Sequence, residues 1–160
     1  MYKKILVAMD SSEISQKVFN SALSLGKQNN ATLMLLHVLT DEEIGLAEIA
    51  SQQISALEYH AAMVEQVETY LKEKELSRKK YLTLLESWAK EAADAGVPTE
   101  YTLNYGGPGR VICNLAKNWD ADLIIMGRRG LSGLGELLMG SISNYVVHHS
   151  PCSVLIVQQK

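Results

Sequence analysis

The chain has 160 residues, 47% of them hydrophobic and 21% charged, with a formal net charge of −3, a mixture that fits one globular domain over 1–160 with a sizeable core. The mild negative balance argues against the broad basic surface used to hold nucleic acid or an anionic membrane, and no segment approaches the length of a membrane span. Cys113 and Cys152 lie far apart and form no CxxC pair, so neither a zinc site nor a disulfide framework is indicated and a reducing cytoplasm is the simplest setting.

Residues 3–9, KKILVAM, read as a short buried strand. The run is too short for a signal-peptide core, and Asp10, Ser11 and Ser12 close it with side chains suited to a turn and a helix cap. Ile14, Val18, Ala22 and Leu25 follow helical spacing up to a turn at Asn29 and Asn30. Residues 31–39, ATLMLLHVL, are apolar almost throughout, as in a strand covered on both faces.

Segment 41–95 contains no proline and one glycine, Gly45. Val64, Val67 and Leu71 make one helical stripe, and Tyr81, Leu85, Trp88, Ala92 and Ala95 make another. Glu68 with Lys72, and Glu86 with Lys90, supply favourable pairs one turn apart. Between the stripes, residues 72–80 are almost fully charged, which reads as a solvated helical face or a turn. The pattern predicts two helices, or a bent one, partly projecting from the body.

Gly96 ends this segment, and residues 99–104 alternate as a third strand. Residues 106–109, GGPG, form a loop in which Pro108 suits the first turn of a helix carried by Val111, Ile112, Leu115 and Ala116. Residues 122–126, DLIIM, and 153–157, SVLIV, are the fourth and fifth strands, separated by a glycine-rich loop and a helix. Such alternation predicts an α/β fold with a parallel sheet and helices on both faces.

In open parallel sheets, ligands sit beyond the carboxyl ends of strands where the winding reverses. Under a strand order of 3-2-1-4-5, strands 1 and 4 flank that reversal, and their ends at Asp10 and Gly127 face one crevice. Strand 4 runs into GRRGLSGLGELLMGSISNYVVHH: two residues separate Gly127 from Gly130, nine separate Gly130 from Gly140, and Ser141 follows. Glycines let the backbone approach a polyphosphate and adopt positive φ. Ser141 is suited to cap the next helix, so that the N–H groups of Ser141, Ile142 and Ser143 point at phosphate oxygens with the helix dipole behind them. Hydroxyls of Ser141 and Ser143 would add donors, and Arg128 or Arg129 positive charge. By spacing alone the same glycines fit a plain surface loop. The chain has neither a Walker-type GxxxxGK(S/T) nor a GxGxxG after strand 1.

The pattern G-x2-G-x9-G-(S/T), met by Gly127, Gly130, Gly140 and Ser141, resembles the ATP-binding signature of the universal stress protein family. The likeness extends to KKILVAMD, LLHV, DLIIMG and SNYVVHHSPCSVLIV. It implies a Rossmann-like, adenine nucleotide alpha hydrolase-like fold around a five-stranded parallel sheet of order 3-2-1-4-5, a homodimer, and ATP as ligand, with any magnesium held through the phosphates. Residue by residue, it implies that Asp10 binds at the adenosine end beside Ala8 and Met9. Val38 would pack on adenine. Met126 and Gly127 would line the ribose and phosphate region, and Arg129, Gly130, Gly140, Ser141, Ile142 and Ser143 would surround the phosphates. Ala8 stands where some relatives have proline, and the Arg128–Arg129 pair replaces a smaller polar residue and histidine.

Other candidates read as structural. His37 lies in an apolar strand, the adjacent His148 and His149 cannot both face one metal, and Cys113 suits a small buried side chain. Residues 106–109 fit a second anion loop less well than a helix entry. No catalytic set is legible: Glu136 is the one carboxylate near the loop and no partner for it is evident. The leading expectation is therefore an ATP-binding regulatory protein of stress response with slow turnover at most. An ATP-dependent enzyme (an ATPase, a phosphotransferase or an adenylate-forming protein) and an interaction module acting through 41–95 are the rivals. Strand Ser153–Val157, apolar and without a blocking charge, is expected to pair with a second copy.

Overall fold

The structure, a computed structural model, describes residues 1–10, 12–41, 56–128 and 140–158. In chain order it runs β1 (Lys4–Met9), α1 (Ile14–Asn29), β2 (Thr32–Leu39), α2 (Ala56–Asp94), β3 (Thr99–Tyr105), α3 (Pro108–Asn118), β4 (Leu123–Gly127), α4 (Ser141–His149) and β5 (Ser153–Val157). All neighbouring strands are parallel, in the order β3-β2-β1-β4-β5. The expected fold class and strand order both hold, and strand limits move by a residue or so at β1, β2, β3 and β4.

Period-two alternation divides the central strands between two cores. On one face, Ile5, Val7 and Met9 of β1 and Leu123 and Ile125 of β4 meet Ile14, Val18 and Phe19 of α1 and Leu85 and Ala92 of α2. On the other, Leu6, Leu36, Val38, Ile124 and Met126 meet Ile112, Cys113 and Ala116 of α3 and Val146 of α4. The edge strands β3 and β5 are only partly buried.

Segment 41–95 was open to two helices or one bent one, and its described residues hold a single helix. Residues 56–94 form one helix of 39 residues. No proline or glycine interrupts them, so the charged run 72–80 continues the helix. Its C-terminal part is anchored: Tyr81, Leu85, Ala89 and Ala92 are buried, and Trp88 stacks on Phe19 at 5.7 Å. By contrast, every residue at 63–69 is exposed.

At the opposite edge of the sheet from the strand ends, Asp122 joins β1 to β4. Its carboxylate accepts the backbone N–H groups of Lys3 and Lys4 at 2.7 and 2.8 Å. These two bonds hold its carboxyl below the usual carboxylate range.

Candidate functional site

The winding reverses between β1 and β4, and the carboxyl ends of these strands lie side by side. Ala8 pairs with Met126, and Met9 with His37. Pleating sends Ala8, Val38 and Met126 to one face, where all three join the packing around Val146 of α4. Met9 points to the opposite face, among Ile14 and Val18. It therefore presents backbone, and not its side chain, to the face that Val38 and Met126 share. Its carbonyl accepts a hydrogen bond from His37 Nδ1 at 3.0 Å.

Asp10 follows β1 directly and is held in a turn. Its Oδ1 accepts from the Ser12 N–H at 2.9 Å, from the Ser12 hydroxyl, and from the Ser15 hydroxyl at 2.7 Å. The Ser15 oxygen also lies 2.7 Å from the Asp10 carbonyl and accepts the Asp10 N–H at 3.2 Å. This is an Asx-type turn leading into α1, whose N-cap position falls on Glu13 without a side-chain cap bond. Asp10 thus organises the entry to α1 without occupying its cap. Ser15, buried in the first turn, is a positioning residue that the sequence reading passed over. It shares the buried face of α1 with Ile14 and Val18, and nothing in the sequence marks the turn it bonds.

Gly127 ends β4 against α1. A Cβ there would stand 2.7 Å from Ile14 Cγ2 and 3.3 Å from Val18 Cγ2. The absence of a side chain at Gly127 is thus demanded by helix packing. At Gly140 a Cβ would meet nothing within 4 Å. Gly140 is also the N-cap of α4, the place the sequence reading gave to Ser141, because the extended backbone at φ −55° and ψ 153° falls on Gly140. Ser141 is instead the first helical residue. The Asn144 N–H bonds the Gly140 carbonyl at 2.9 Å and closes the first turn of α4. The N–H groups of Ser141, Ile142 and Ser143 precede it and have no acceptor within the helix.

The direction of α4 follows from register. Leu123, which opens β4, pairs with Ser153, which opens β5, and α4 ends at His149, just before it. The helix therefore runs back against the strands, and its N-terminus stands at the edge where Asp10 and Gly127 lie. Ile142 is exposed there, whereas Ser143 is buried. Arg129 and Gly130, the other two expected phosphate contacts, lie outside the described residues, as does Glu136. The Arg128 N–H bonds the Val157 carbonyl at 3.0 Å, so the chain leaves β4 still paired with β5.

The remaining candidates have structural surroundings. His37 is buried and stacks on Tyr81 of α2 with centroids 3.8 Å apart. His149 closes α4 with its ring 4.0 Å from Tyr145 and its Nδ1 bonded to the Tyr145 carbonyl. Residues 106–109 are a helix entry: Gly107 is the N-cap of α3 and Pro108 lies in its first turn. Burial pushes the Cys113 thiol up, with Cys152 nearby adding to the effect, and burial pushes Cys152 up as well. Neither sulfur is set up as a thiolate nucleophile. Among the described residues, no three His, Cys, Asp or Glu side chains gather in a metal-binding group, and no helix is long and apolar enough to cross a membrane.

An apolar wall, a fixed carboxylate and a helix N-terminus at one sheet edge suit a ligand with a flat apolar part and an anionic part. The chain matches the universal stress protein family over residues 1–158. It is 38% identical over 157 residues to the universal stress protein Sll1388 of Synechocystis, covering 98% of each chain. In structure it is similar to hypothetical protein MJ0577, with a TM-score of 0.73, 30% identity, and coverage of 100% of this chain and 98% of that one. It also shares its fold with At3g01520, a universal stress protein family protein of Arabidopsis thaliana with AMP bound, at a TM-score of 0.63 and 23% identity over 99% of this chain and 92% of that one. The chain belongs to the universal stress protein family.

Proposed function

We propose that the chain binds an adenine nucleotide, ATP in the first instance, in the crevice at the carboxyl ends of β1 and β4, and acts as a regulatory protein of stress response. The observation that carries this reading is the shared edge. Ala8, Val38 and Met126 supply an apolar surface for adenine, Asp10 stands at the end of β1, and the α4 amides supply donors for phosphate. The AMP held by the Arabidopsis relative of the same fold is consistent with that assignment. In this reading Arg129 and Gly130 complete the phosphate contacts. A magnesium ion is carried by the phosphate oxygens. ATP acts as a ligand that orders the loop and biases a conformation, with slow turnover at most. The setting is the cytoplasm, and β5 forms a homodimer.

The test is the identity of any small molecule released on denaturing the purified protein, together with calorimetric titration of ATP. Saturable ATP binding is expected in the wild type and should be lost in Gly140→Val, whose side chain fills the open space beside the helix N-terminus. No co-purified nucleotide and no ATP binding, or wild-type affinity in Gly140→Val, would defeat the assignment. Rapid metal-dependent release of phosphate, AMP or pyrophosphate would replace a binding protein with an enzyme.

A further inference from the structure

We propose that His37 is a positioning residue of the crevice: from β2 it fixes the Met9–Asp10 peptide, and so sets where Asp10 stands against the adenosine end of a nucleotide. The role rests on the nucleotide reading for its ligand and on the fold alone for its geometry. The pairing of β1 with β2 ends at Met9 and His37. There the chain leaves the sheet and enters the turn at Asp10. A peptide unit is a rigid plane, and in its trans form the carbonyl and the N–H point opposite ways. Among the described residues no peptide bond is cis. Side chains hold this plane at both ends. The Met9 carbonyl accepts from His37 Nδ1 at 3.0 Å, and the Asp10 N–H donates to Ser15 Oγ at 3.2 Å. One hold comes from β2 and the other from α1, so a rotation of the plane breaks both.

The same contact fixes the proton. A carbonyl oxygen only accepts, so Nδ1 carries the hydrogen. His37 has no room to swing away. It is 3% exposed, and its ring lies 3.8 Å from that of Tyr81 at an interplanar angle of 14°. Tyr81 is itself buried with Leu39, under Tyr70 and Leu103. An apolar ring would pack on Tyr81 as well. Histidine adds a donor that such a ring lacks, and the donor is aimed at the carbonyl that precedes Asp10.

Two variants of the full chain separate the hydrogen bond from the packing. His37→Phe keeps a ring against Tyr81 and removes the donor. His37→Asn removes the ring and keeps a donor in the place of Nδ1. Amide hydrogen exchange in the nucleotide-free protein reads the turn at Asp10 and at Ser12, whose N–H bonds Asp10 Oδ1. Exchange there should rise about tenfold in His37→Phe, the size expected of one lost hydrogen bond, and fall back toward the wild type in His37→Asn. In calorimetry, His37→Phe should weaken ATP and AMP by the same factor of about ten, because the disturbed contact lies at the end they share. His37→Asn should recover most of that affinity. Urea midpoints should run the other way, with His37→Asn the less stable variant because it loses the buried ring. Unchanged exchange in His37→Phe, or ATP affinities that follow stability, would overturn the role of His37. If exchange responds as expected and the wild type binds no ATP, the positioning stands and the nucleotide reading falls.

Discussion

Gly127 and Gly140 belong to one sequence signature but answer to different forces. A methyl at Gly127 must displace Ile14, a β-branched side chain with little rotamer freedom, from the α1 interface. Gly127→Ala is therefore expected to destabilise the fold by about 1–3 kcal/mol, read from urea midpoints. Gly140 has room and an N-cap backbone, so Gly140→Ser should leave stability unchanged or raise it by a few tenths of a kcal/mol. A loss of the same size at both positions would show that Gly140, too, is packed. Asp122 gives a pH prediction at this scale. Its folded pKa lies below the unfolded value of about 3.9. Its stabilisation is thus fully present above that value and is lost as pH falls through the folded pKa. Asp122→Asn should be less stable than the wild type at neutral pH, with the gap closing on acidification. Because the carboxylate is exposed, the gap should be small. Of the residues around the site, Asp10 was legible from its place at a strand end. Ser15 was not, because a serine inside a helical pattern carries no mark of the turn it will bond. Ser141 has a side chain that prefers the cap, but the backbone puts the cap one residue earlier, at Gly140.

Among the elements, α2 shows where sequence patterning leaves two answers open. Lys74 and Arg78 break its apolar line, and the broken line reads as two stripes, on two helices or on one bent helix. Charged side chains at those positions interrupt burial without interrupting backbone hydrogen bonding, so helix and core follow different boundaries. The two ends of α2 should respond differently to truncation. Leu85→Ala, fully buried against the sheet, should cost about 2–5 kcal/mol. Leu76→Ala, exposed and off the docking line, should stay within about 0.5 kcal/mol. Equal losses in chemical denaturation would contradict an anchored and an unanchored half. The strands were easier to read, since β1, β2 and β4 are short apolar runs that only a sheet covered on both faces accommodates.

For the whole molecule, alternation of strands and helices indicated a parallel sheet, and handedness limited its winding. The order itself was not legible from periodicity, because pairing between distant strands leaves no local mark; resemblance supplied it. That order leaves β5 at an edge, with Leu155 37% exposed. If β5 pairs with a second copy, Leu155→Lys should shift the protein to a smaller species in light scattering while leaving its unfolding midpoint in dilute solution nearly unchanged. An unchanged mass would remove β5 from the assembly.

The contact between Gly127 and Ile14 has a consequence for descent. Under the proposed function, a lineage that stopped holding nucleotide would lose selection on Gly140, beside which a Cβ meets nothing within 4 Å. Gly127 would persist, because α1 still has to pass it. Retention of the first glycine without the last would then mark a relic of the fold, and only retention of both would mark an ancestral ligand still in use.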